Sequence, residues 1–161
     1  MKIIFPSTEI SIRTKTIIVQ FVCNSDVAVT IFHEMLQNRI YHPSSIEYLQ
    51  GPQNDELNFV KPFYFTEGTA EFKMWEKTMN YIENQYLQLI EMGNTPEQAS
   101  VVLPRSLAVW FSVSLSFNGW KRFFQLKTPT TTHPRIRELT VPLFEKIKRM
   151  VPDEFKDVVM D

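Results

Sequence analysis

The strongest constraint on the fold is an amphipathic helical pattern that spans residues 69–92. Its large apolar side chains recur every three or four positions, at Phe72, Trp75, Met79, Ile82, Tyr86 and Ile90. That spacing places them on one face of an α-helix. Gly93 follows at the position where a helix commonly ends in a left-handed residue. We expect the apolar face to lie in the core or in a subunit interface.

The first half of the chain combines a strand pattern with another helix. Over residues 1–23 apolar residues alternate with polar ones, and this period of two predicts β-structure. Residues 24–26 supply helix-capping chemistry, and a helix is predicted to about residue 40. Its buried stripe is expected to comprise Val27, Ile31, Met35 and Leu36. Residues 41–68 are expected to be irregular, with at most a short strand near Phe63–Phe65.

Further elements are predicted after the long helix. Thr95 and Gln98 form a capping-box pattern around Pro96, which predicts a helix that ends before Pro104. A β-branched and aromatic run predicts a strand over residues 107–115, followed by a short helix to residue 126 and a long helix over residues 132–150. Helices and strands are mixed without a linker, which indicates a single α+β domain over residues 1–161.

Composition narrows the functional classes. The formal net charge is −1 and no basic run is present, so a nucleic-acid partner is not expected. The single cysteine, Cys23, cannot form an intramolecular disulfide, and its apolar neighbours predict a buried, inert thiol. No stretch has the length and purity of a membrane span, and the N-terminus lacks a signal-peptide layout. We therefore expect a cytoplasmic protein without membrane contact.

The common catalytic motifs are not found in the sequence. With only four glycines, the chain contains neither common type of phosphate-binding loop. The pair His33-Glu34 begins like a zinc-protease helix, but Gln37 stands where the second histidine ligand would be, so no metal site is expected. Residue types and spacing alone therefore identify no enzyme activity.

Segments in the second half of the chain carry a family resemblance. Residues 89–104 read Leu-Ile-Glu-Met-Gly, then Pro-Glu-Gln-Ala, then Val-Leu-Pro. Residues 118–127 begin with Asn118 and end with Leu126-Lys127, and residues 132–139 contain His133-Pro134-Arg135. In this order and at these separations, the three segments resemble motifs of the flavin-dependent thymidylate synthases.

The resemblance extends upstream to about residue 17. Gln37-Asn38-Arg39 stands where that family has Arg-His-Arg, and residues 45–48 stand where it has Ser-x-Arg-Tyr. The implied fold is α+β with a small antiparallel sheet in a homotetramer. FAD would lie at subunit junctions, with methylenetetrahydrofolate and NADPH as co-substrates. The implied reaction converts dUMP to dTMP, or a close variant.

Matching the motifs position by position assigns a role to each site residue. The catalytic positions are Lys127 and Ser45. The cofactor-binding positions are Gln37, Asn38, Arg39, Ser116, Asn118 and Arg122. The substrate-binding positions are Glu34, Ser45, Ile46, Glu47, Tyr48 and Lys127.

Several of these positions depart from the family pattern. Glu47, Ser100 and Lys127 stand where the family has arginines, and Glu34 stands where it has glutamine. Lysine keeps the positive charge but loses the planar fork of arginine. Other basic residues near the site are candidates to compensate, namely Arg105, Lys121, Arg122 and Arg135. Two hypotheses remain open: an active enzyme, with the same or an altered nucleotide preference, and a catalytically degenerate member with an oligomeric or binding role.

Overall fold

The computed structural model describes residues 1–40, the backbone of 46–49, and residues 57–158. Within that part the strands are β1 (Lys2–Ile4), β2 (Ser7–Arg13), β3 (Thr16–Asn24), β4 (Ile46–Leu49), β5 (Asn58–Val60) and β6 (Ala108–Ser116). The helices are α1 (Ser25–Gln37), α2 (Ala70–Glu91), α3 (Pro96–Ala99), α4 (Phe117–Lys127), α5 (Pro134–Met150) and α6 (Pro152–Phe155). The mixed helix-and-sheet class is therefore confirmed.

A four-stranded antiparallel sheet has the order β2-β3-β6-β4. The alternation predicted along β3 is confirmed, since Ile17, Val19, Phe21 and Cys23 are all buried. Their side chains share one face of the sheet, because successive residues of a strand point to opposite sides. The segment predicted as β-structure over residues 1–23 divides into three strands, with a two-residue turn at Thr14 and Lys15 between β2 and β3.

Aromatic residues of α4 form the centre of the core on this face. Trp120, Phe123 and Phe124 are completely or almost completely buried. Trp120 Nε1 donates a hydrogen bond of 2.9 Å to the backbone oxygen of Ile17, which ties α4 to β3. The Trp120 ring stacks on Phe124 at a centroid distance of 5.7 Å. Trp120 is therefore a core residue.

Helix α1 crosses the same face and ends in a Schellman motif, a C-terminal pair of backbone hydrogen bonds. Arg39 N donates to Leu36 O, and Ile40 N donates to Met35 O. Three members of the predicted stripe, Val27, Ile31 and Met35, are buried. The prediction for Leu36 is wrong: it is 54% exposed. The apolar face is narrower than predicted, and Ala28 takes the remaining buried position.

The long helix α2 forms as predicted, but its apolar face is only partly covered. Thr69 caps its start, and Gly93, with φ +90°, ends it in a second Schellman motif. Phe72 and Met79 are buried, whereas the rest of the predicted face is intermediate in exposure. The buried charge on α2 is Glu83, whose Oε2 lies 2.6 Å from the α-amino group of Met1.

The segment predicted as irregular contains more structure than expected. Strand β5 pairs in parallel with β1, and β4 adds an edge to the main sheet. The strand suggested near Phe63–Phe65 is wrong, because Phe65 N bonds to Pro62 O in a turn. The three aromatic rings there contact one another edge to face. Short apolar runs do not distinguish strands from packed turns.

The capping predictions in the second half hold. Thr95 and Gln98 form the predicted capping box at α3. The strand predicted over residues 107–115 is β6, and Ser116 caps the helix that follows it. Helix α5 begins at Pro134 with His133 as its cap, two residues after the predicted start at Thr132. The predicted boundaries in this half therefore lie within about two residues of the observed ones.

Candidate functional site

The ends of α1 and α4 bring two of the predicted site residues together. Lys127, the last residue of α4, is only 6% exposed. Its Nζ lies 3.0 Å from Oε1 of Glu34, in the last turn of α1. Thr140 Oγ1 donates to the backbone oxygen of Lys127 at 2.7 Å and so attaches this end of α4 to α5. A buried ammonium group needs such a partner, because unpaired burial of a charge is very costly.

Asn38 completes this cluster from the cap of α1. Its Nδ2 donates to the backbone oxygen of Glu34 at 2.8 Å and lies 3.4 Å from Glu34 Oε2. The two carboxylate oxygens of Glu34 are therefore directed to different donors, Oε1 to Lys127 and Oε2 to Asn38. We call Glu34, Asn38 and Lys127 the Lys127 cluster.

Arg39 follows directly and has an unusual backbone conformation. Its φ is +52°, at the position of a Schellman motif where glycine is the common residue. For a residue with a Cβ atom, this left-handed conformation costs about 1–2 kcal/mol. The side chain is exposed and, within the described part of the chain, makes no hydrogen bond or ion pair. Backbone strain of this kind is frequent at functional sites.

Gln37 interacts with the residue one helical turn before it. Its Nε2 lies 3.3 Å from Nε2 of His33, on the exposed side of α1. Of the three residues that replace the Arg-His-Arg motif, Gln37 and Asn38 thus contact α1 itself, and Arg39 extends into solvent.

The cofactor positions on α4 lie away from the Lys127 cluster. Ser116 Oγ accepts a hydrogen bond of 3.2 Å from Gly119 N and so caps the opposite end of the helix. Eleven residues of helix separate the two ends, a distance of about 16 Å at the usual rise per residue. Asn118 is near Ser116, and Arg122 is exposed halfway along. A single chain therefore does not gather all the predicted cofactor residues in one place.

The remaining substrate positions are described only in part. Ile46, Glu47 and Tyr48 lie on β4, where their backbones pair with Val113, Ser112 and Phe111 of β6. The side chains of these three residues lie outside the described residues, and so does Ser45. Strand β4 is the edge of the sheet next to β6.

Two of the basic residues considered as compensation are engaged elsewhere. Arg135 pairs with Asp26 at 2.7 Å, and Lys121 lies 5.9 Å from the ring centroid of Phe155.

The residues that position Lys127 were not predicted from the sequence. Arg137 Nε donates to the backbone oxygen of Thr128 at 3.1 Å, next to the Thr140 bond. No sequence pattern predicts these contacts, because both are made by polar side chains to backbone atoms.

Cys23 is not a candidate nucleophile. It is completely buried, as predicted, and burial raises the pKa of its thiol from 9.0 to about 12, with a smaller contribution from the nearby Asp26 carboxylate. Such a thiol is almost entirely protonated at neutral pH.

In the part of the chain that the structure describes, no three or more His, Cys, Asp or Glu side chains are grouped so that they could hold a metal ion. Among the same residues, no helix is long and apolar enough to cross a membrane.

The mixed fold with a small antiparallel sheet agrees with the fold that the motif resemblance implies. A family model described as thymidylate synthase complementing protein matches residues 17–153, and the chain belongs to this family. The resemblance inferred from the motifs is thus confirmed.

Individual relatives are distant and longer. The flavin-dependent thymidylate synthase of Pyrococcus furiosus is 24% identical over 130 residues, which cover 79% of this chain and 52% of that protein. The enzyme of the same name from Pyrococcus horikoshii is 27% identical over 120 residues, which cover 73% of this chain and 49% of that protein. The chain spans about half the length of the curated relatives it matches.

Proposed function

We propose that this chain binds FAD and transfers a one-carbon unit to C5 of a pyrimidine deoxynucleotide, dUMP or a close variant, as a divergent flavin-dependent thymidylate synthase. Family membership and the names of its relatives support this reaction class. Bound FAD, reduced by NADPH, would supply the hydride, and methylenetetrahydrofolate would supply the carbon. The chain's own residues bind and orient these molecules.

The observation that carries the proposal is the Lys127 cluster. Family motifs assign Glu34 to substrate, Asn38 to cofactor and Lys127 to catalysis. Glu34 and Asn38 lie one turn apart at the end of α1, and Lys127, from a distant part of the sequence, pairs with Glu34 at 3.0 Å. A surface lysine would not require such an arrangement. Lysine is rarely buried in proteins, so a buried lysine that is held by residues of two helices is a candidate for a functional role.

The residues at the end of α1 are suited to hold a flavin. They offer it fewer charged contacts than the Arg-His-Arg motif of the family provides. Arg39 offers an exposed guanidinium, a suitable donor for a phosphate or a flavin carbonyl. Gln37 and Asn38 offer neutral amide groups beside it. Ser116, Asn118 and Arg122 would contact the flavin from another subunit, which accounts for their distance from the Lys127 cluster. This arrangement requires an oligomer, and we propose a homotetramer in the cytoplasm.

Lys127 is the proposed contact to the pyrimidine, with Ser45 as the second catalytic residue. Its ammonium group would donate to a base carbonyl while Glu34 keeps it in place. Carboxylates at Glu34 and Glu47 replace a glutamine and an arginine of the family pattern. A carboxylate accepts but does not donate hydrogen bonds, so the contacts to base and phosphate would differ from those of dUMP in typical members.

A second candidate is a catalytically degenerate member with a non-enzymatic oligomeric or binding role. The Glu34–Lys127 ion pair itself favours it, because the positive charge of Lys127 is already neutralised within the protein. A nucleotide would have to compete with a partner that is always present.

Flavin titration separates the two candidates. The purified protein is titrated with FAD and followed by its absorption spectrum and melting temperature, and dUMP is then added. The enzyme proposal expects saturable FAD binding, a spectral shift with dUMP, and weaker binding in Arg39→Gln than in the matched surface variant Arg13→Gln. Absence of FAD binding at micromolar concentration would reject the enzyme proposal and leave the degenerate member.

A further inference from the structure

The one Asn-Gly pair of the sequence lies at the start of α4. Asn118 is the second residue of this helix and Gly119 is the third. Asparagine is among the thermolabile residues of proteins. Its side-chain amide can be attacked by the backbone nitrogen of the next residue, and a glycine at that next position hinders the attack least. Asn118 is therefore the asparagine of this sequence most open to such chemistry.

The surroundings of Asn118 favour the attack. The side chain is exposed, and within the described part of the chain its amide makes no hydrogen bond. The first turn of a helix carries the positive end of the helix dipole, which stabilises negative charge. Both the deprotonated attacking nitrogen and the tetrahedral intermediate are negatively charged. The electrostatic environment therefore promotes the reaction.

The cap of α4 restrains the attacking atom, Gly119 N. The first backbone N–H groups of a helix have no carbonyl partner within the helix. Here Gly119 N donates a hydrogen bond of 3.2 Å to Ser116 Oγ. This bond occupies the proton that must leave before the nitrogen can attack. It also keeps the peptide from rotating toward the side chain of Asn118.

The packing of α4 against β6 favours glycine at position 119. A Cβ atom built on Gly119 would lie 3.1 Å from Cβ of Leu115, closer than ordinary van der Waals contact. Strand β6 ends at Ser116 and α4 begins at the next residue, so the first turn of the helix lies against the end of the strand. A larger residue would have to displace Leu115, which is buried. The labile pair is thus a consequence of the tight connection between strand and helix.

We propose that Asn118-Gly119 is a latent deamidation site, and that the Ser116 cap sets the rate at which it reacts. Gly119 N loses its proton and forms a bond to Cγ of Asn118. The bond from Cγ to the amide nitrogen breaks, and ammonia leaves. Water then opens the resulting succinimide ring at either of its two carbonyl groups. The products are aspartate and isoaspartate at position 118, and no oxidant or reductant is required.

The products differ in their effect on α4. Aspartate in the first turn interacts favourably with the helix dipole, so the folded protein accommodates it. Isoaspartate adds an atom to the main chain and disrupts the cap. Both products place a negative charge at Asn118, where it would oppose the phosphates of FAD. That last consequence rests on the proposed function, whereas the reaction itself does not.

Peptide mapping by mass spectrometry tests the proposal. The purified chain is incubated at pH 8, either folded or in urea, and the loss of each asparagine amide is followed over time. In urea, Asn118 should react first among the asparagines. In the folded wild type it should react at least about tenfold more slowly than in urea, because the cap must open before the attack.

Variants of the cap separate its role from that of the helix. Ser116→Ala should speed the loss of the Asn118 amide in the folded protein about three- to tenfold, in proportion to the stabilisation that the cap provides. Ser116→Thr is the matched control, since it keeps a capping hydroxyl and should react like wild type. Asn24, which precedes Ser25, is the internal reference, and its rate should not change among the folded variants.

Three results would overturn the proposal. The first is an equal rate at Asn118 in folded and in urea-unfolded wild type. The second is an equal rate in Ser116→Ala and Ser116→Thr, because the cap would then play no part. The third is an equal acceleration of Asn24 and Asn118 in Ser116→Ala, which would assign the effect to general unfolding. FAD is absent from every sample, so none of these results depends on whether the protein binds flavin.

Discussion

The left-handed conformation of Arg39 gives a prediction that links stability to function. Both α1 and α2 end in Schellman motifs, one with Arg39 and the other with Gly93 at the left-handed position. Replacing Arg39 with glycine removes about 1–2 kcal/mol of backbone strain. The same change adds about 0.5–1 kcal/mol of unfolded-state entropy. Because the exposed side chain makes no hydrogen bond or ion pair with the residues that the structure describes, Arg39→Gly should raise the free energy of unfolding by about 0.5–1 kcal/mol.

The matched control is the reverse change at the second motif. No atom lies within 4 Å of a Cβ built on Gly93, so Gly93→Arg meets only the backbone penalty. We expect it to destabilise the protein by about 0.5–1 kcal/mol in urea unfolding. Arg39→Gly should at the same time weaken FAD binding about tenfold or more, because it removes a charge-assisted contact.

The two readouts test different parts of the reasoning. If Arg39→Gly destabilises the protein, the side chain contributes to the fold and the strain argument is refuted. If it stabilises the protein and leaves FAD affinity unchanged, the strain is real but the flavin role of Arg39 is wrong. A gain in stability together with a loss of affinity would show that this position is kept for binding at the expense of stability.

The remaining predictions concern the core, the Lys127 cluster and the cysteine. Trp120→Phe should lower the free energy of unfolding by about 2–3 kcal/mol, since it removes buried volume and leaves Ile17 O without its donor; a loss below about 0.5 kcal/mol would contradict this. A double-mutant cycle of Glu34→Gln and Lys127→Met, measured by urea unfolding, should give a coupling energy of about 1–2 kcal/mol. If the two effects add within about 0.3 kcal/mol, the ion pair contributes nothing to stability. Iodoacetamide at pH 8 should label Cys23 about a thousandfold more slowly in the native protein than in urea, because a pKa of about 12 instead of 9.0 suppresses the thiolate; equal rates would contradict the burial of this thiol.

Sequence patterns predicted elements well wherever capping and periodicity agreed. Residues 69–93 carry both signals, and α2 forms there with Thr69 and Gly93 at its ends. The alternation of apolar and polar residues in β3 likewise predicted which face of the strand is buried. Where only one weak signal was present, as at Phe63–Phe65, a turn of packed aromatic rings replaced the predicted strand.

The candidate site was predictable only through the family motifs. They assigned Glu34, Asn38 and Lys127 separately, but no local pattern indicates that Lys127 is buried or that Glu34 is its partner. The contact between Glu34 and Lys127 depends on where α1 and α4 end relative to each other on the same face of the sheet.

The pairing of β3 with β6 has a consequence for how the molecule acquires its structure. Thr16 pairs with Ser116 and Asn24 with Ala108, so the central ladder joins residues that are far apart in the chain. Such contacts form slowly, because a long loop must close before any of them is made. During synthesis, the β2–β3 hairpin leaves the ribosome with one edge unpaired until β6 follows. The nascent chain therefore depends on the intervening segment not pairing with that edge first.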